Sequence, residues 1–477
     1  MSAPFLWTIE AMAAAMNAER AGALPETVTG ISIDSRTIAR GEAFFAIRGD
    51  THDGHGFASA ALQNGAALAV IAKSHLGEMP AGAPLLVVSD VLGALTDLAR
   101  AARARSPAKI VAVTGSVGKT STKDALRLAL SRDGVAHASL ASFNNHWGVP
   151  LSLARLSESA RYGVFEIGMN HPGEITPLTK LVRPHVAIVT GVAPVHLEFF
   201  ASENDIADAK AEIFLGLEPG GAAVINRDNA HFERLKRHAT AAGARIVSFG
   251  EEASAEARLI KCALQPDGST VEADILGHVV DYKIGAPGRH LVLNSLAVLA
   301  AVCLVGADLA LAALALADQT PASGRGTRLT LQTPTGAALL IDESYNANPL
   351  SMRAALALLG QATVGARGRR VAVLGDMLEL GPAGRDLHRG LATPIAEHAI
   401  DLVFCCGPLM EELWQTLPSE RRGGYAKESG ALEAQVIAAV HGGDAIMVKG
   451  SLGSRMGPLV KTLMRQYGAV AAAQVQG

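Results

Sequence analysis

Short apolar runs separated by glycine-rich turns recur along the whole chain. After an Ala/Met-rich helical opening, Val28 to Ile33, Ala43 to Ile47, Ala69 to Ile71 and Leu85 to Val88 read as the strands of a small α/β unit. Arg100 to Pro107 is charged and rich in small residues, and the apolar run Ile110 to Thr114 starts just beyond it, which places a first boundary after residue 106. From 107 to 319, Val164 to Ile167, Ala187 to Thr190, Ala223 to Ile225 and Ile246 to Phe249 alternate with helix-length segments. That rhythm predicts a doubly wound, mostly parallel sheet. Arg258 to Leu264, Thr270 to Leu276 and Val279 to Ile284 are shorter alternating runs joined by tight turns, and predict an antiparallel appendage. Thr320 to Gly326, rich in Pro, Ser and Gly, marks the second boundary. Beyond it Leu339 to Ile341, Val371 to Leu374, Leu402 to Cys405 and Ala445 to Val448 again alternate with helical segments. The chain is thus expected to be α/β with three domains: 1–106, a central 107–319, and a Rossmann-like 320–477.

One apolar stretch tests this picture. Leu296 to Ala317 is long enough to span a bilayer and carries a single charge, Asp308. A mid-membrane aspartate costs about 2.5–3.5 kcal/mol, and Gly306-Ala307-Asp308 has the form of a helix stop followed by an N-cap. Two buried helices of a soluble protein are therefore expected, with no membrane insertion. The length of 477 residues suits about three domains. A net charge of −3 provides no basic field for a nucleic-acid backbone. With 49% hydrophobic and 18% charged residues, a largely disordered chain is excluded. The four cysteines, Cys262, Cys303, Cys405 and Cys406, show neither zinc spacing nor a disulfide framework. Met1 to Arg20 lacks a basic n-region and is interrupted by Glu10, so it does not read as a signal peptide. A cytoplasmic protein is expected.

The strongest chemical signal is Gly115-Ser116-Val117-Gly118-Lys119-Thr120-Ser121, set between an apolar strand and a helical pattern. Strand, glycine loop, lysine and helix N-terminus together make an anion cradle. Backbone N–H groups meet phosphate oxygens, Lys119 neutralises terminal phosphates, and Thr120 can reach Mg²⁺. The usual template places its first glycine where Val113 stands; here Gly115 shortens the loop. Glu166 ends a strand of the same sheet, where a carboxylate can hold the Mg²⁺ of a nucleotide, and His196 follows another strand. His52-Asp53-Gly54-His55 resembles a metal cluster but lacks a third ligand in the sequence.

These loops belong to a longer series. TGSVGKTS (114–121), SFNNHWGVP (142–150), FEIGMNHPGEI (165–175), TGVAPVHLEFF (190–200), AKAEIF (209–214), VINRDN (224–229), GRHLVLNSLAV (288–298), SGR (323–325), DESYNANPLSM (342–352), LGDMLELG (374–381) and MVKGS (447–451), in this order, resemble the Mur ligases. YNANP and GDMLELG look like the member that adds a D-alanyl-D-alanine dipeptide, rather than like its single-amino-acid siblings or a folylpolyglutamate-type synthetase. The resemblance implies an N-terminal domain for a uridine nucleotide, a central ATPase and a C-terminal domain that closes over ATP and accepts the amine. It implies ATP and Mg²⁺ as cofactors, the small molecules UDP-MurNAc-tripeptide and D-alanyl-D-alanine as substrates, an acyl-phosphate intermediate, and a monomer.

By the same resemblance, Lys119, Lys210 and His196 are the catalytic candidates, and Thr120, Glu166, His196 and Lys210 the Mg²⁺ set, with Lys210 carbamylated. Asn294 would contact adenine and Arg325 the phosphates at a hinge. Asp342, Tyr345, Asn346 and Asn348 would contact nucleotide, although Glu343 replaces the family's usual second aspartate and leaves the share of Asp342 and Glu343 open. Asp34, Ser35 and Arg36 match the uridine-diphosphate site. Asn144 and Asn145 would be substrate-side groups or turn formers, and Lys449 and Ser451 would lie near the dipeptide. A non-catalytic nucleotide-binding protein is the reading from another class, and the presence of every polar candidate argues against it.

Overall fold

All of these apolar runs are used as strands in the computed structural model, which describes residues 5–49, 52–140, 142–194, 197–265, 267–321 and 324–471. The first unit contains β1 (Trp7–Thr8), β2 (Glu19–Ala21), β3 (Thr27–Val28), β4 (Gly30–Ser32), β5 (Glu42–Phe45), β6 (Leu68–Ala72) and β7 (Leu85–Val88). β1 pairs with β3, and the other five form a sheet in the order β2-β7-β6-β5-β4. The single run expected over Val28 to Ile33 is split because Thr29 N–H turns to the Gly41 carbonyl (3.0 Å), so β3 and β4 take different partners.

The central unit holds β8 (Lys109–Thr114), β9 (Ala136–Ala138), β10 (Tyr162–Glu166), β11 (Val186–Val189), β12 (Ala222–Asn226), β13 (Arg245–Gly250), β14 (Ala257–Gln265), β15 (Gly268–Ile275) and β16 (His278–Ile284). Their order is β16-β15-β14-β13-β12-β11-β8-β10-β9. The antiparallel appendage is continuous with the parallel sheet, because Phe249 and Gly250 of β13 pair with Ala257 and Arg258 of β14. β8 lies between β10 and β11, where the strand order reverses, and its apolar residues Ile110 to Val113 are fully buried. A crevice at the carboxyl ends of the strands is expected at such a point.

The third unit comprises β17 (Thr327–Thr333), β18 (Gly336–Glu343), β19 (Arg370–Gly375), β20 (Leu402–Cys406), β21 (Arg422–Ala426), β22 (Ala445–Lys449) and β23 (Ala469–Ala471), ordered β21-β20-β19-β22-β18-β17-β23. Its two faces carry separate cores. By contrast, the first unit shares one core with a face of the central sheet, in which Trp7, Leu98, Ala112 and Phe165 belong to the same cluster. The helix Val91–Arg105 joins them: buried Arg103 donates to the carbonyls of Val182 (2.8 Å) and Arg183 (2.9 Å) at the end of another helix. The apolar stretch forms two helices, Arg289–Leu304 and Leu309–Ala315. Gly306 (φ +75°) ends the first, and the Asp308 carboxylate accepts from Leu311 N–H (2.9 Å) to cap the second. Among the described residues no helix is long and apolar enough to cross a membrane.

Candidate functional site

The loop after β8 is shaped by its glycines. Gly115 has φ +150° and Gly118 φ +87°, and a Cβ on either would collide with a neighbour, 1.9 Å from Thr190 Oγ1 and 2.4 Å from Asn294 Nδ2 respectively. Only glycine admits both the conformation and the close approach. The loop is also stitched to the segment after β11. Ser116 N–H donates to the Gly191 carbonyl (2.9 Å), Ser116 Oγ donates to the Ala193 carbonyl (3.0 Å), and Thr190 Oγ1 donates to the Val117 carbonyl (2.6 Å). The helix Lys119–Leu130 follows with no side chain capping its first turn, which leaves those N–H groups for an anion.

Charges gather around this loop. Lys119 Nζ donates to the Gly115 carbonyl (2.6 Å). Burial lowers its pKa, Glu166 acts in the opposite sense, and Arg325 lowers it further. Glu166, at the end of β10, is 1% exposed. Its Oε1 accepts from Asn144 Nδ2 (2.7 Å), whereas its Oε2 is buried with no hydrogen-bond partner among the described residues. An orphaned buried carboxylate oxygen is costly, and a hard divalent cation is the partner that suits it. Thr120 is buried, with Oγ1 3.5 Å from Ser142 Oγ. Lys210, in the last turn of the helix Glu203–Ala211, is fully buried and has no hydrogen-bond or ion-pair partner among the described residues. Burial pushes its ammonium well below the usual lysine range, and the charge of Lys119 adds to the shift. A neutral amine of that kind can react with carbon dioxide. His196 lies outside the described residues.

The third unit reaches this cleft through Arg325. Its guanidinium donates to Ser142 Oγ (3.3 Å) and lies 4.3 Å from the Tyr345 ring centroid. Ser142 thus lies beside both Thr120 and Arg325, a bridging role that sequence reasoning missed although the residue sits in the SFNNHWGVP segment. The question left open at 342–343 acquires a geometry. Asp342 accepts from Ser344 N–H (3.1 Å) and Oγ (2.6 Å) in a local turn, while Glu343 accepts from buried Lys449 Nζ (3.0 Å). Lys449 also donates to the Asn346 carbonyl (3.0 Å). Asn346 Oδ1 accepts from Ala347 N–H, Asn348 caps the helix Pro349–Gly360, and Asn145 Oδ1 accepts from Gly148 N–H (2.9 Å). These three asparagines, as placed, hold local turns. Ser451 Oγ accepts from Leu378 N–H (3.0 Å) and donates to the Ala347 carbonyl (3.2 Å).

Asp34, Ser35 and Arg36 form a separate group after β4. Arg36 is 86% exposed and grips Asp34 through Nε (2.9 Å) and Nη2 (2.7 Å), holding the Asp34 carboxyl down at about 2. Nearby, His75 supplies the third neighbour that Asp53 and His55 lacked in the sequence, its ring stacked on His55 at 3.9 Å. Both His55 nitrogens are nevertheless engaged: Nδ1 with Asp53 Oδ1 (2.6 Å), and Nε2 as acceptor from Ala72 N–H (2.9 Å). That makes the cluster a hydrogen-bonded brace for β6 rather than a ready metal cage.

Comparisons with known proteins agree along the chain. Family models match in three stretches: the Mur ligase family catalytic domain over 27–103, the Mur ligase middle domain over 113–302, and the Mur ligase glutamate ligase domain over 327–452. The UDP-N-acetylmuramoyl-tripeptide–D-alanyl-D-alanine ligase of Rickettsia prowazekii is 30% identical, over 95% of this chain and 99% of that protein. Its counterpart from Escherichia coli is 33% identical over 84% of this chain and 86% of that one. Among solved structures, MurF from Acinetobacter baumannii matches with a TM-score of 0.81 at 28% identity, covering 97% of this chain and 100% of that chain. The MurF ligase from Thermotoga maritima in complex with ADP shares the fold, with a TM-score of 0.73 at 24% identity, covering 92% and 97%.

Proposed function

The chain belongs to the Mur ligase family, and on that premise we propose that it joins D-alanyl-D-alanine to UDP-MurNAc-tripeptide at the expense of ATP. The products are UDP-MurNAc-pentapeptide, ADP and phosphate, a step of peptidoglycan synthesis. The near full-length similarity to ligases of that name supports the acceptor. Residues 1–106 bind the uridine nucleotide, with Asp34, Ser35 and Arg36 at its diphosphate. Residues 107–319 bind ATP, and 320–477 close on it and present the dipeptide.

The reaction's obstacle is the approach of a carboxylate to an anionic γ-phosphate, so charge compensation is the main task of the protein. The uncapped helix N-terminus and Lys119 receive the β- and γ-phosphates, and Arg325 adds a cation from the third unit. The substrate carboxylate takes the γ-phosphoryl group to give an acyl phosphate. The dipeptide amine then attacks the carbonyl carbon, and an amide bond forms as the bond to phosphate breaks. Thr120, Glu166, His196 and carbamylated Lys210 would hold Mg²⁺, which supplies charge neutralisation when bound. Asn294, packed against Gly118, lies at the edge of the nucleotide loop. Action as a monomer belongs to the same reading, and the four free cysteines suit a cytoplasmic setting.

The observation that carries this reading is the buried Glu166 Oε2, without a hydrogen-bond partner among the described residues, together with the buried Lys210 amine beside the same phosphate-loop lysine. The test is phosphate release from Mg-ATP with UDP-MurNAc-tripeptide, adding D-alanyl-D-alanine or single amino acids. Release that requires the dipeptide, with the matching mass gain, is expected. Turnover with single amino acids alone would transfer the assignment to a sibling ligase.

A further inference from the structure

The carboxyl ends of β18, β19 and β22 form one rim of the third unit, and three leucines on it stand in water. Leu350 is 50% exposed, Leu378 39% and Leu452 67%. Leu378 and Leu452 belong to two different loops and Leu350 to the first turn of the helix Pro349–Gly360, yet these segments are tied together. Ser451 N–H donates to the Asp376 carbonyl (3.0 Å), while its hydroxyl accepts from Leu378 N–H and donates to Ala347. Leu378 lies across the next loop, its Cδ1 2.7 Å from where a Cβ on Gly453 would stand. The rim faces the central unit. Glu198 N–H donates to the Glu379 carbonyl (3.4 Å), and a Cβ on Gly381 would lie 3.3 Å from Glu198 Cα.

The buried polar groups on this rim are already committed. Lys449 is held by Glu343 and the Asn346 carbonyl, Ser451 by its two loop partners, and Asp376 by the N–H groups of Leu409 (3.3 Å) and Met410 (2.8 Å). What the three leucines themselves offer an incoming molecule is aliphatic surface. Such a surface rewards small apolar side chains and penalises charged ones, which would lose water without gaining a partner. D-alanyl-D-alanine carries two methyl side chains and no side-chain charge. We infer that Leu350, Leu378 and Leu452 form the specificity-determining surface for the acceptor dipeptide and take its methyl groups. The assignment rests on the ligase reading above.

Steady-state kinetics of the full-length enzyme test it, with Leu350→Asn, Leu378→Asn, Leu452→Asn and the conservative Leu378→Met, using D-alanyl-D-alanine and D-alanyl-glycine as acceptors. One methyl buried at such a surface is worth about fourfold in binding. Each asparagine variant is expected to raise the dipeptide KM about fourfold or more and to narrow the preference over D-alanyl-glycine. The kcat and the KM for Mg-ATP should stay within about twofold, and Leu378→Met should restore the preference. An unchanged dipeptide KM and preference in all three variants overturns the inference. So does phosphate release that continues without amide formation while the dipeptide KM is unchanged, because the leucines would then shield the acyl phosphate from water. Wild-type enzyme that ignores the dipeptide but uses single amino acids refutes the acceptor reading itself, and this shows before any variant is made.

Discussion

Replacing Gly118 by alanine perturbs two things that a control substitution can separate. Gly118 has φ +87°, and Gly220, at a turn far from the loop, has φ +76°. An L-residue in that left-handed conformation costs about 1–2 kcal/mol at either site. For a unit of about 200 residues this lowers Tm by about 2–8 °C. At Gly220 the new methyl meets nothing within 4 Å, whereas at Gly118 it would stand 2.4 Å from Asn294 Nδ2, so the loop or Asn294 must shift. A displacement near 1 Å of a nucleotide-positioning group can cost about 10²-fold in rate. Gly118→Ala is therefore expected to lose 10- to 100-fold in kcat/KM for Mg-ATP, and Gly220→Ala to lose stability alone. Thermal melts of both variants and kinetics with varied ATP make the comparison. Equal melting losses with equal, unchanged ATP kinetics would refute the claim that the Gly118–Asn294 approach shapes the nucleotide site.

Two further outcomes follow from the buried charges. Glu166→Gln removes a buried carboxylate whose Oε2 has no hydrogen-bond partner among the described residues, so the ligand-free protein should melt no lower than wild type while kcat falls about 10²–10³-fold; a lower Tm with full activity would contradict the metal role. Because burial lowers the Lys210 pKa, its neutral, carbamylatable form persists to lower pH than for an ordinary lysine and is lost as pH falls through that lowered value. Activity should decline on the acid side and on bicarbonate depletion, and ¹³C-bicarbonate should give a carbamate NMR signal that Lys210→Arg lacks.

Sequence pattern and structure part company for identifiable reasons. Central strands such as β8, β11 and β19 are continuous apolar runs because both faces are covered, and they are legible at once. β2, β9, β21 and β23 were invisible: all four are sheet edges, and Glu19-Arg20-Ala21 or Arg422-Gly423-Gly424 carries little apolar signal. β17 had a usable signal, the alternation of Leu329 and Leu331 with polar neighbours. At the site, the phosphate loop is contiguous and could be recognised from spacing. Contacts between distant segments could not: Ser142 beside Thr120 and Arg325, Asn294 against Gly118, and His75 on His55. The carboxylate at Glu166 was legible, but its unsatisfied oxygen is a property of packing.

The cleft also explains why a chain with net charge −3 should respond to anions. Lys119 and Arg325 converge beside the Lys210 amine, with Glu166 opposing them, and the charges act on one another: Arg325 lowers the pKa of Lys119, and Lys119 that of Lys210. Such like-charge crowding is a cost of the ligand-free state, and it is poorly screened by salt because the groups are sheltered. A bound polyanion relieves it, so nucleotide binding gains energy that the empty protein has forgone. At 100 times its Kd, a ligand stabilises by about 2.7 kcal/mol. Sulfate, a γ-phosphate mimic for the uncapped helix N-terminus, should raise the melting temperature more than chloride at matched ionic strength. Lys119→Met should melt no lower than wild type without anions and should lose most of the sulfate-specific increment. If wild type and Lys119→Met respond equally to sulfate, the anion acts elsewhere and the cleft's charge does not drive nucleotide binding.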